Sequence, residues 1–205
     1  MYTSIIATSE SLRELLRASF RADVGPSGLA SLFGGGVMDV SLATPREMQG
    51  HQQGLSMWLY RVVRDDTRLN DPPTQRPLPG GGVELVPPPL PLRLHYLMTP
   101  LVDEGPDTEQ RILGRTLQLF HMQPELSGAD LRGDLIGSHA RLHVRLEALS
   151  LDETSRVWEA LHGTFQLCVS YEVTLVNIEN PLQPLRTALV ESVQTVHAVI
   201  VGEPA

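Results

Sequence analysis

Lysine is absent from the 205 residues, so all sixteen basic side chains are arginines. That excludes every chemistry that needs an amine: the phosphate-binding lysine of a P-loop, the Schiff-base lysine of pyridoxal enzymes, and the lysine beside a Ser-x-x-Lys nucleophile. Cysteine occurs once, at Cys168, so an intrachain disulfide and a zinc site built on several thiolates are both excluded. A basic surplus is missing too. Twenty-four acidic against sixteen basic residues give a net charge of −8, which opposes attraction to nucleic-acid backbones and anionic membranes. No run of about eighteen apolar residues is present, and the N-terminus lacks the basic stretch, apolar core and cleavage site of a secretory signal. The expectation is a protein made and folded in the cytoplasm, with neither nucleic acid nor membrane as partner. The motifs Gly-x-Ser-x-Gly, His-Glu-x-x-His and Gly-x-Gly-x-x-Gly do not occur, and the triplet Gly34, Gly35, Gly36 lacks a third glycine at the proper spacing.

What is present is a 41% hydrophobic chain long enough to bury a core. Leu12, Leu15, Leu16 and Phe20 recur at helical spacing, with Ser9 as a candidate cap. A weak strand at 37–42 follows a glycine-rich loop. Residues 55–63 (LSMWLYRVV) and 92–99 have strand composition. Between them, residues 70–91 concentrate prolines and glycines and read as a long loop, with 70–87 expected to be mobile or ordered only by a partner. Asp107 can cap a helix to about His121 whose apolar face is Ile112, Leu113, Leu117 and Phe120. Residues 141–147 alternate strictly, as a half-buried strand does. Ser150 and Glu153 form a capping box for a helix ending near Gly163. A strand over 166–178 places Leu167, Val169, Tyr171, Val173 and Leu175 on one face. The expected fold is an α/β (α+β) domain over 1–191: a mixed or antiparallel central sheet, two or three flanking helices and long Pro/Gly loops. Residues 192–205 form a terminal strand or arm.

Several side chains invite a chemical reading. His139 and His143 have a metal-like spacing, but along a strand four residues span about 13 Å, too far for two rings to share one ion. His95 and His121 read as partly buried residues beside a sheet. The pairs Asp65–Asp66, Asp103–Glu104 and Asp152–Glu153 could serve a hydrolase, but they fall in turns and helix starts, where acids are expected for solvation and dipole reasons. Cys168 lies mid-strand, the place of an inert core thiol. Trp58, Trp158, Tyr60 and Tyr96 could stack bases or sugars, although strand and helix aromatics are most often core. The run PPPLPL at 87–92 matches a polyproline ligand and, more simply, an extended lead-in to a strand. No catalytic, metal or cofactor site is expected.

Four stretches together resemble the N-terminal domain family of the tube-terminating cap of extracellular contractile injection systems, of the antifeeding-prophage and virulence-cassette type. They are LSMWLYRV (55–62), PPLPLRLHYLMTP (88–100), EQRILGRTLQLFHMQPELSGADL (109–131) and LSLDETSRVWEALHGTFQLCVSYEVTLVNIE (149–179). The resemblance implies a non-enzymatic structural protein of a phage-tail-like particle. It would assemble as a ring, expected to be a homohexamer, on the last layer of an inner tube and its sheath, stopping tube growth and tying the two together. Its partners would be itself, the tube protein and the sheath protein, with assembly in the cytoplasm and possible release outside the cell in the particle. The competing readings are a small carboxylate-dependent hydrolase and a generic adaptor read through PPPLPL. Val193, Val196, Val199, Ile200 and Val201 make the segment 192–201 too apolar for a free tail. They are the expected protein interface, with a strand completing the chain's own sheet as the alternative.

Overall fold

Helix α1, Ser4–Ala22, sets the core: Leu12, Leu16 and Phe20 are fully buried one turn apart. Its first half buries small polar residues instead, and Thr8 and Ser11 return their hydroxyls to the carbonyls of Ser4 and Ala7 at 2.8 and 2.7 Å. Ser9, expected as the cap, lies inside the helix. It is buried, with its hydroxyl 2.7 Å from that of Tyr96. The helix starts a turn and a half earlier because short side chains let its N-terminal half lie close on the sheet. The computed structural model describes residues 2–79, 82–103, 105–179 and 185–187.

The larger of two compact units, Met1–Asn70 with Pro89–Glu179, holds α1, α2 (Ala30–Gly34), β1 (Met38–Ser41), α3 (Pro45–Met48), β2 (Gln53–Arg64), β5 (Leu90–Leu101), α4 (Pro106–Met122), β6 (Glu125–Ser127), β7 (Arg141–Glu147), α5 (Leu151–Ala160) and β8 (Val169–Ile178). Its sheet runs β1-β2-β5-β8-β7-β6, with β1 parallel to β2 and every other pair antiparallel. The expected mixed sheet with flanking helices is what forms. Thr44 and Glu47 make a capping box at α3 of the same kind as the Ser150–Glu153 box at α5. The Thr-Pro-Arg-Glu signal was legible in the sequence. At α4 the cap is Gly105 with φ 102°, followed by Pro106. Asp107 therefore sits in the first turn rather than at the cap, because proline is favoured at the first helical position.

Two faces of the sheet are covered differently. Leu55, Met57, Leu92, Leu94, Tyr96, Met98, Leu142, Val144, Tyr171 and Val173 join α1, α2 and α4 in one core. At roughly 1.5–3 kcal/mol per large apolar side chain, this layer dominates the folding free energy. The opposite face has a small apolar cluster of Leu97, Trp158 and Leu161 under α5, and beside it a row of polar groups.

Strand β8 starts at Val169, and its expected period breaks. Leu92 faces Val176 and Leu94 faces Val173, so one extra residue bulges from β8. Leu175 adopts φ 64° there, and Val176 takes the core position expected of Leu175. Leu167 precedes the strand and is exposed.

The smaller unit, Asp71–Pro88 with Asn180–Ala205, carries an antiparallel sheet of β3 (Thr74–Pro77), β4 (Val83–Val86) and β9 (Leu185–Thr187) in the order β3-β4-β9. Residues 70–91, expected as an irregular loop, thus contain a hairpin. Pro72, Pro73 and Pro79 fall outside the ladder and Pro77 at its end, opposite Val83, where its missing N–H costs least. A third strand from about 100 residues further along the chain was not visible to any local rule. The boundary expected at 191/192, and Val193, Val196, Val199, Ile200 and Val201, lie outside the described residues.

Candidate functional site

Cross-strand pairing assembles the polar row. Arg61 faces His95, His95 faces Glu172, and Glu172 faces Arg145, so one lateral line crosses β2, β5, β8 and β7 on the α5 side of the sheet. Two residues along, Leu97, Ser170 and Glu147 form the next line. Arg93, at the bulge, bridges Asp65 at 2.7 Å and Glu172 at 3.9 Å, while Arg145 holds Glu172 at 2.8 Å. Glu147 accepts from Ser170 at 2.7 Å, from Tyr60 at 3.1 Å and from His95 Nδ1 at 3.1 Å. Among the described residues, His95 Nε2 and Arg93 Nε are buried without a partner.

His95, Glu147 and Glu172 bring one ligand atom each within 4.8 Å of the others, a donor set that by number alone could hold a cation. The charges do not fit one. Glu172 already lies between two guanidiniums, and Glu147 already accepts from three donors. A divalent ion would have to displace Arg145, losing a charge-assisted bond for each one gained. This grouping was missed in the sequence, where Glu147 and Glu172 are 25 residues apart and neither has an acidic neighbour.

Burial alone raises the carboxyls of Glu147 and Asp39, but hydrogen bonds win. Ser170 and then His95 and Tyr60 hold Glu147 below the usual range, and Arg17 does the same for Asp39. The Arg93 guanidinium, against a smaller burial penalty, lowers Asp65. Burial pushes the Tyr60 and Tyr171 phenols up to about 12, Tyr60 aided by the Glu147 charge. Lowered carboxyls stabilise the fold fully above their unfolded values of 3.8 and 4.5 and lose that contribution as pH falls through the folded values. Raised phenols contribute below their unfolded value of 10 and lose it as pH rises toward 12. The urea midpoint is expected to stay flat between about pH 5 and 9 and to fall on both sides. A midpoint unchanged down to about pH 3 would contradict the pairing described here.

Of the residues singled out from sequence, Tyr60 and His95 meet at Glu147, while the carboxylate pairs and the other histidines are not drawn together. Asp65 pairs with Arg93 while its neighbour Asp66 is exposed on Arg64 at 2.9 Å. Asp103 accepts from Gln53 at 2.6 Å, and Glu104 lies outside the described residues. Asp152 pairs with Arg156 at 3.0 Å, and Glu153 closes the capping box. His143 is exposed on β7, 3.0 Å from Glu125, whereas His139 precedes the strand and lines an open cleft of about 740 Å³ with Asp134, Ile136, Arg141 and Asn177. His95 is buried and His121 exposed. Trp58, Tyr60 and Trp158 share the small cluster, but Tyr96 is on the other face in the main core. Cys168 is half-buried beside the Trp158 indole at 3.5 Å, and burial raises its thiol pKa. Within PPPLPL, Leu90, Pro91 and Leu92 are paired in β5 and not presented as a free ligand.

One further feature is structural. Strand β2 has twelve residues, but β1 pairs only with 53–56 of its outer side. Along 57–64 that side has no strand partner among the described residues. Val62, Arg61 and Arg64 are exposed there, and Tyr60 forms a bulge opposite β5. Charges and bulges are the usual protection of such an edge against indiscriminate pairing.

The family model described as the Pvc16 N-terminal domain matches residues 7–192. Among solved structures, the chain is similar to the PVC sheath/tube terminator of an extracellular contractile injection system in its extended state, with TM-score 0.61 and 16% identity over 94% of this chain. It is also similar to the tube-terminating cap of the anti-feeding prophage, with TM-score 0.59 and 20% identity over 90% of this chain. It spans 64% and 59% of the lengths of those two chains. No curated protein matches it.

Proposed function

The chain belongs to the Pvc16 N-terminal domain family, and from that membership we propose that it is a structural cap that ends the tube, and joins tube to sheath, in a phage-tail-like contractile particle. The observation that carries this reading is the family match across residues 7–192, together with a fold shared with two terminators along nearly its whole length. The cap acts without catalysis, in a ring of identical subunits expected to be a hexamer, and its partners are tube, sheath and itself. No helix among the described residues is long and apolar enough to cross a membrane, and assembly in the cytoplasm with later release in the particle suits the role.

The polar row supports a structural role better than the hydrolase alternative. A carboxylate hydrolase needs one carboxyl kept protonated beside one kept ionised. Here Glu147 is held ionised and Glu172 is locked between two arginines. The adaptor reading is weakened because half of PPPLPL is built into β5. The interface expected at Val193, Val196, Val199, Ile200 and Val201 belongs to the same proposal, as the strand that reaches another subunit.

The test is direct. Light scattering of the purified chain should give a multimer, and electron microscopy should show rings. Added to particles made without the cap gene, the chain should appear at tube ends and narrow the length distribution. A protein that stays monomeric at high concentration and leaves tube lengths unchanged would overturn the proposal.

A further inference from the structure

We propose that the open edge of β2, residues 57–64, receives the segment 192–201 of a second copy of this chain as an added strand. The inference rests on the cap reading, because it names the surface through which neighbouring subunits join. Its starting observation is the bare edge itself. Eight consecutive residues of an otherwise fully paired inner strand keep one side without a ladder partner among the described residues. An edge of about 27 Å offers several main-chain donors and acceptors, which strand addition would satisfy.

The occupant is argued from chemistry. Residues 57–64 carry Arg61 and Arg64 and no acid; Arg64 is held by Asp66 at 2.9 Å just beyond the edge, so the edge's basic character rests chiefly on Arg61. Residues 188–205 carry Glu191 and Glu203 and no arginine, so the segment is an acidic-flanked strand of matching length. Val196 and Ile200 alternate with Val193, Val199 and Val201, giving apolar side chains on both faces of any strand it forms. On the edge, Trp58 and Tyr60 point toward the small cluster under α5, while Met57 and Leu59 belong to the main core. An added strand would thus meet apolar neighbours on each side. A strand of one sign against an edge of the other also discriminates against edge-to-edge pairing of two identical β2 strands, which would set arginine against arginine. Donor and receptor surfaces differ, so the contact is heterologous, and repetition around an axis closes a ring.

The experiment mixes two full-length chains, both Cys168→Ser, one carrying Val62→Cys and the other Val196→Cys or Val199→Cys. The last two positions sample both faces of the added strand. After mild oxidation, intact mass should show disulfide dimers joining one chain of each kind, well above dimers of either kind alone. A further pair of variants reads the charges: Arg61→Glu with Arg64→Glu should weaken self-association at least tenfold without lowering the melting temperature, and Glu191→Arg with Glu203→Arg should restore it. If rings form and cap particles but no mixed disulfide appears, this inference fails and the cap reading stands. If one doubly substituted chain links within itself at a concentration-independent rate, the segment pairs in its own molecule and the inference is overturned. If neither self-association nor capping occurs, both fall together.

Discussion

Gly54→Ala is expected to destabilise the protein by about 4 kcal/mol, lowering its melting temperature by roughly 10 °C or more for a chain of this size. Gly54 sits opposite Asp39 in the parallel β1–β2 pair with φ 131°. A Cβ there would lie 2.0 Å from the Asp39 carbonyl oxygen and 2.7 Å from its nitrogen, both backbone atoms that have nowhere to retreat. Moving Asp39 would also disturb its pairing with Arg17 of α1, whose Nε lies 2.6 Å from the carboxylate. The matched control is Gly114→Ala, an exposed position inside α4 where an added Cβ meets nothing within 4 Å. That change should stabilise by up to about 1 kcal/mol through helix propensity. Thermal melts of the two variants should therefore move in opposite directions. A Gly54→Ala variant that melts with the parent would show that the two strands do not approach as described.

Arg93→Met is expected to cost about 2–3 kcal/mol at pH 7. The substitution keeps the apolar stem but removes the cation that Asp65 faces at 2.7 Å and Glu172 at 3.9 Å. Glu172 retains Arg145, and Asp65 retains the amide and hydroxyl of Thr67 at 3.2 and 2.7 Å, so neither carboxylate is wholly abandoned. Asp65 is covered yet close to the surface, where solvent screens charge, which places the loss below that of a deeply buried broken pair. The distinguishing signature is pH. Arg93 lowers the Asp65 carboxyl in the folded state, so its contribution is complete above the unfolded value of 3.8 and fades below it. The gap between parent and variant in urea midpoint should hold down to about pH 3.8 and shrink as pH falls below it. A gap that stays constant would assign the effect to lost packing.

The polar row was only half visible before folding. Alternation over 141–147 placed Leu142, Val144 and Leu146 inward and Arg145 outward; Leu142 and Val144 are buried and Arg145 exposed, but Leu146 is exposed as well. That Glu147, at the end of the outward side, would be partly covered by Tyr60, His95 and Ser170 was not visible, because those partners lie on three other strands. His95 looked like a residue beside a sheet and is one. Its carboxylate, Glu147, is 52 residues away.

Local order was determined by the sequence itself. Apolar periodicity and capping acids act within a turn or a few residues, and they placed α1, α4, α5, β2, β5 and β7 near their observed spans. Composition likewise set the negative charge and excluded lysine-amine chemistry, an intrachain disulfide and metal sites built on several thiolates. Tertiary structure alone decided what depends on distant partners. Ser9 joined the helix because Tyr96, 87 residues on, takes its hydroxyl. Residues 74–77 and 83–86 became strands in a sheet completed by 185–187. Val176 displaced Leu175 from the core because a bulge shifted the register of β8 against β5. The sheet edge at 57–64 has no strand partner among the described residues because β1 is short. The reason is common to all four: hydrogen-bond ladders and side-chain packing reward contacts between segments whose separation along the chain no local pattern encodes, and closing those loops fixes which of several locally permitted structures survives.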